Sequence, residues 1–151
     1  MARLSLTYGS TPRRRAVTLV ETAIVIGACL LFMFAIFEYG RVVMVRQLLA
    51  NATREAARYA VWNTNTQPTP DLQSYMTPYL AGQPLTITSF NAFQADPNNN
   101  FANVGPWQNA GFGQPIVVKV QVSYTPILPS FGFLPNPVTI TDEATMYSEG
   151  F

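Results

Sequence analysis

The fold class predicted for this chain of 151 residues is α+β: a long N-terminal membrane-spanning α-helix extending into a small antiparallel sheet domain. Three observations predict it. An apolar run near the N-terminus passes, without a proline, into an amphipathic helical stripe. A Pro/Asn/Thr-rich breaker then ends that helix. After the breaker, three stretches alternate like strands, and helix followed by runs of strand indicates an antiparallel α+β arrangement.

The first element is a basic leader, residues 1–16. It holds Arg3, Arg13, Arg14 and Arg15 and no acid. Eight of the nine basic residues lie at or before Arg58, and beyond it Lys119 faces five acids. A net charge of +1 therefore hides a basic end and a weakly acidic body. The positive-inside tendency makes Arg13, Arg14 and Arg15 the cytoplasmic topology signal and puts the body outside the cytoplasm.

The second element is the span, residues 17–38. From Thr22 to Phe37 every residue is apolar or small. Counted from Ala16 the run is about 22 residues, near the roughly 20 that a membrane helix needs. A cleaved secretory signal competes with this reading, but the run is long for one and no small-x-small site follows. A lipoprotein signal competes through "IGAC" (Ile26–Cys29), but "LLFMFAIF" follows where a polar tether belongs. The favoured reading is an uncleaved span, or one trimmed at its cytoplasmic edge, with Cys29 as a small apolar filler.

The third element, residues 39–62, continues the same helix. Val42, Val45, Leu49, Ala52, Ala56 and Ala60 recur at steps of three and four, with Arg46, Arg54 and Arg58 on the other side. Glu38–Arg41 and Glu55–Arg58 stand at ion-pairing spacing. Gly40 is the weak point of the helix. The sequon at Asn51 falls inside the helix, where glycosylation acceptors are not favoured.

The body, residues 63–151, opens with the breaker "NTNTQPTP". "DLQSYMTPYLAG" predicts a short helix from Pro70 or Asp71 to before Gly82, divided by Pro78. Strands are expected near 85–90, 116–124 and 138–148. Residues 94–114 read as a long Asn/Gly/Pro-rich loop. In the last strand Asp142 is in phase with Val138, Ile140 and Ala144, which predicts a bulge or an edge position. Between the last two strands Ile127, Leu128, Phe131 and Phe133 concentrate apolar surface. They either fold under as core or form a contact patch for a neighbouring subunit or the membrane.

Catalysis is not expected. The chain has no histidine, one cysteine inside the predicted span, and few, scattered acids. Phosphate-loop, serine-elbow and metal-cluster motifs are missing, so no cofactor and no metal are expected. Asp96, Asn98 and Asn100 match the start of a calcium loop, but Phe101 and Trp107 stand where that loop needs glycine and an acid. An acidic body gives no basis for nucleic-acid binding.

Glu21 is the odd residue of the span. Near an end it costs less than the roughly 2.5–3.5 kcal/mol of a mid-span carboxylate. One reading is that it simply sits at the headgroup boundary. The spelling "RRR-A-VTLVE" resembles the type IV prepilin cleavage pattern, with the cut between Ala16 and Val17 and Glu21 as the fifth mature residue. Ala16 stands where that pattern usually has glycine. A cut there creates an α-ammonium one helical turn, about 6 Å, from Glu21. The carboxylate could neutralise that ammonium or one on an adjacent subunit, and so set axial register.

The stretch Arg13 to about Trp62, with "FEYGR" and "REAARYAV", resembles the TadE-like family, pseudopilin-type proteins of tight adherence (Flp) pilus systems. Thr22 departs from the aromatic residue that often follows the glutamate in such pilins. The resemblance implies a pilin-like fold and a minor pilin or assembly factor of the bacterial inner membrane, without catalysis and with a periplasmic body. Prepilin peptidase would cut it between Ala16 and Val17, with Ala16, Val17 and Glu21 as the processing residues. Its partners would be the membrane, other pilin or pseudopilin subunits and the inner-membrane assembly platform. The rival reading is a bitopic membrane protein whose outer domain binds something unrelated to pili.

Overall fold

The computed structural model describes residues 12–64, 71–126 and 136–149. The chain divides into two compact units, Met1–Phe37 and Glu38–Phe151. Helix α1, Pro12–Trp62, belongs to both. Its first residue is a proline, which fits because the missing N–H would be unpaired at that position anyway.

In the first unit every side chain from Ala16 to Phe37 is exposed. The helix from Ala16 is long and apolar enough to cross a membrane, with mean hydropathy 2.5 in its apolar window.

In the second unit α1 buries one face. Val45, Leu49, Ala52, Ala56 and Ala60 are fully buried, and Val42 packs partly against the same core. These are the predicted stripe, while Arg46, Arg54 and Arg58 are exposed. Alanines bring the helix backbone close to what it packs on, and each buried Val or Leu contributes about 1.5–3 kcal/mol.

The partner is a four-stranded antiparallel sheet in the order β2-β1-β3-β4. Its strands are β1 (Leu85–Asp96), β2 (Ala102–Pro106), β3 (Pro115–Tyr124) and β4 (Val138–Tyr147). In β3, Val118, Val120, Val122 and Tyr124 join the core with the α1 stripe, and Lys119 lies exposed on the opposite face. Directly across from it, Glu143 pairs with Lys119 at 3.2 Å. Both side chains are about half exposed, so this pair contributes no more than about 1 kcal/mol.

Three expectations are corrected here. The sheet has four strands, not three. The first strand does not stop near 90 but runs to Asp96. The predicted 94–114 loop is the end of β1, a tight turn, β2 and a short 3-10 helix, Trp107–Asn109. In the turn, the Asp96 carboxylate accepts the Asn98 N–H and the Asp96 carbonyl accepts the Phe101 N–H. Asn100 and Phe101 there take positive φ, 48° and 56°. Gly105 and Pro106 belong to the composition that reads as a loop, but β2 is an edge strand, where such residues are tolerated.

A second feature hid the length of β1. Leu85 and Ile87 alternate inward, and then Phe90 and Ala92 do, which breaks a period of two. The pairing skips at Thr88, with Ile87 opposite Val122 and Ser89 opposite Gln121. This bulge puts all four apolar residues against the core. The Thr88 hydroxyl donates to the Gln121 carbonyl at 3.0 Å and holds it.

Asp142 sits in an edge strand, as one of its two predicted placements has it, and its register opposite Val120 is regular. The short helix α2, Leu72–Met76, is capped by Asp71, whose carboxylate accepts the Gln73 and Ser74 N–H groups. It passes at Thr77 into a 3-10 turn around Pro78 and ends before Gly82, whose φ of +84° suits glycine.

Candidate functional site

The sequence places the chemistry at the start of α1. Ala16, Val17 and Glu21 lie on continuous helix, and all three side chains are exposed. Four residues separate Val17 from Glu21, a little over one turn and about 6 Å along the axis. The Thr22 hydroxyl donates to the Thr18 carbonyl at 2.8 Å, so this polar group is satisfied within its own helix. Thr18, Leu19, Thr22, Ala23 and Ile26 line a shallow groove on the helix surface. Cys29 is a free, exposed thiol farther along. Arg13, Arg14 and Arg15 lie on the helix backbone, and their side chains are outside the described residues. The proposed contact patch, Ile127, Leu128, Phe131 and Phe133, is also outside them.

In the second unit the structure brings together residues that sequence reasoning did not join. Glu38 is 5% exposed, and the Tyr124 hydroxyl donates to its carboxylate at 2.8 Å. Glu38 thus turns to the end of β3, not to Arg41 as its spacing suggests. Burial and the bond to Glu38 push the Tyr124 phenol above its ordinary pKa, while Arg41 pulls the other way. A signal for this pair was present. Tyr124 closes the inward phase of β3, and a buried phenol needs a hydrogen-bond partner.

A second cluster surrounds the end of α1. Tyr59 and Tyr75 stack with ring centroids 4.0 Å apart and planes 13° from parallel. The Tyr75 hydroxyl donates to Glu55 at 3.4 Å and lies 3.3 Å from the Tyr79 hydroxyl. Glu55 therefore serves Tyr75, where the sequence suggested Arg58. The Tyr79 hydroxyl bond, then burial and nearby charge, push the Tyr75 phenol up to about 12.

A raised phenol pKa contributes stability that is complete below the unfolded value, about 10. That contribution is lost as pH climbs from there through the folded value. Ultraviolet phenolate titration should show one tyrosine ionising near pH 12. Tyr79→Phe should bring that step down, and an unchanged step would refute the assignment.

Comparison with known proteins adds one finding. The family model described as TadE-like protein matches residues 16–58. That stretch contains Val17, Glu21, Glu38 and most of the buried stripe of α1. No curated protein and no solved structure matches the chain.

Proposed function

We propose that this chain is a membrane-anchored, pseudopilin-like component of a tight adherence (Flp-type) pilus system, with a structural or assembly role and no catalysis. The observation that carries the reading is the TadE-like match, which starts at Ala16 and covers Glu21 and the apolar span. In this reading Arg13, Arg14 and Arg15 stay in the cytoplasm, the span crosses the bacterial inner membrane, and the sheet domain lies in the periplasm. Prepilin peptidase cuts between Ala16 and Val17. Glu21 then faces the new α-ammonium of its own or a neighbouring subunit. The remaining partners are other pilin or pseudopilin subunits and the inner-membrane assembly platform.

A second reading, a bitopic membrane protein whose outer domain binds something unrelated to pili, draws support from the match ending at residue 58, before the sheet. The N-terminus of membrane-extracted protein separates the two. A mature chain starting at Val17 is the expected result. An intact leader in cells with active prepilin peptidase would overturn the pseudopilin reading.

A further inference from the structure

The C-terminal end of α1 carries a cleft that the pilus reading does not use. It holds about 220 Å³ and is lined by Glu55, Arg58, Tyr59, Trp62, Asn63 and Tyr75. Three of these are aromatic and three are planar polar groups. Trp62 is 74% exposed, an unusual position for so large an apolar side chain. The Tyr59–Tyr75 stack and the Tyr75–Glu55 bond hold the aromatic wall in place. The Asn63 amide is held by its bond to the Tyr59 carbonyl at 2.7 Å. Arg58 is exposed beside them.

The mixture of groups restricts what fits. Arg58 works against a cation that would otherwise suit an aromatic cage, and Glu55 works against an anion. A purely apolar ligand would cover both charges without bonding them, which is costly. A neutral ligand with a flat C–H face and a polar edge meets the aromatic wall and gives both charged groups a hydrogen-bond partner. A pyranose ring with equatorial substituents has that form. Its axial C–H groups meet the electron-rich face of an indole or phenol. Its hydroxyls meet the carboxylate, which accepts, the guanidinium, which donates, and the amide, which does both. The cleft is smaller than the roughly 300–1,000 Å³ of pockets that engulf a whole ligand. One ring can lodge there while the chain continues outside.

The geometry points to a binding site for a β-linked pyranose glycan, stacked on Trp62 and hydrogen-bonded by Glu55, Arg58 and Asn63. The inference is independent of leader cleavage and of pilus assembly, so either can fail without the other.

The test uses the full chain in lipid nanodiscs free of sugar detergents. N-acetylglucosamine tetramer and cellotetraose are titrated separately, followed by calorimetry and tryptophan fluorescence. The two arms tell an acetamido-bearing glycan from a plain glucan. Saturable binding of either, with a change in Trp62 emission, is expected. Trp62→Ala should weaken binding about tenfold or more, and Arg58→Gln should weaken it severalfold. Both residues are exposed, so the folded circular dichroism spectrum should persist in each variant. No saturation by either tetramer into the millimolar range would overturn the site. So would wild-type binding by the Trp62→Ala protein.

Discussion

Glu21→Ala is expected to enter the membrane as well as the native chain or better, and to abolish pilus assembly. The insertion half follows from solvation. Removing a carboxylate from an apolar helix lifts a cost of up to about 2.5–3.5 kcal/mol, less near the end of a span. The assembly half follows from the proposed pairing. An α-ammonium at Val17 in a low-dielectric bundle needs a partner, and one left without a counter-charge is penalised. Glu21 is exposed on its helix, one turn from that position, and so available to a neighbour. Membrane fractionation measures the first half, and electron microscopy of surface pili the second. Normal piliation by the variant would end the pairing role and leave the family resemblance standing.

Tyr124→Phe is expected to destabilise the second unit by about 1–3 kcal/mol, toward the upper end because a charged acceptor loses its donor. The variant keeps the ring in the core but leaves the 5%-exposed Glu38 without the hydroxyl it binds at 2.8 Å. Glu38→Gln added to Tyr124→Phe should recover part of the loss, because a neutral amide is less costly to bury than an unpaired carboxylate. Denaturant unfolding in lipid nanodiscs, followed by near-ultraviolet circular dichroism, measures both. A Tyr124→Phe midpoint equal to the native one would show that this bond contributes nothing net. The predicted loss is larger than that of the exposed Lys119–Glu143 pair, whose members water already solvates.

Some of this architecture was legible residue by residue. The stripe from Val42 to Ala60 announces a buried helix face because 3.6-residue periodicity and burial are the same fact seen twice. Val118, Val120, Val122 and Tyr124 announce β3 in the same way, with a period of two. The extent of β1 was not legible, because the bulge at Thr88 shifts the phase and neither half alone looks like a twelve-residue strand. Strand β2 was hidden by Gly105, which weakens a strand, and by Pro106, which is confined to strand edges. Whether a strand is at an edge depends on the order of the whole sheet.

The candidate site divides along the same line. Ala16, Val17 and Glu21 are close in sequence and share one helix, so their spacing is fixed by the rise of that helix alone. Glu38 and Tyr124 are 86 residues apart. Local rules offered Glu38 a nearer partner in Arg41, and Glu55 one in Arg58. Folding gave each a tyrosine instead, from β3 and from α2. By itself the sequence determined the apolar span, the helix beyond it, the α+β class and the local spelling around Glu21, because each rests on contacts within a few residues. The tertiary structure alone decided the fourth strand, the bulge, the buried carboxylate–phenol pair and the aromatic cleft. Apart from the β1–β2 hairpin, which closes through a tight turn, each of these joins residues that meet only once distant segments have packed, and a pattern read along the chain does not say which segments those will be.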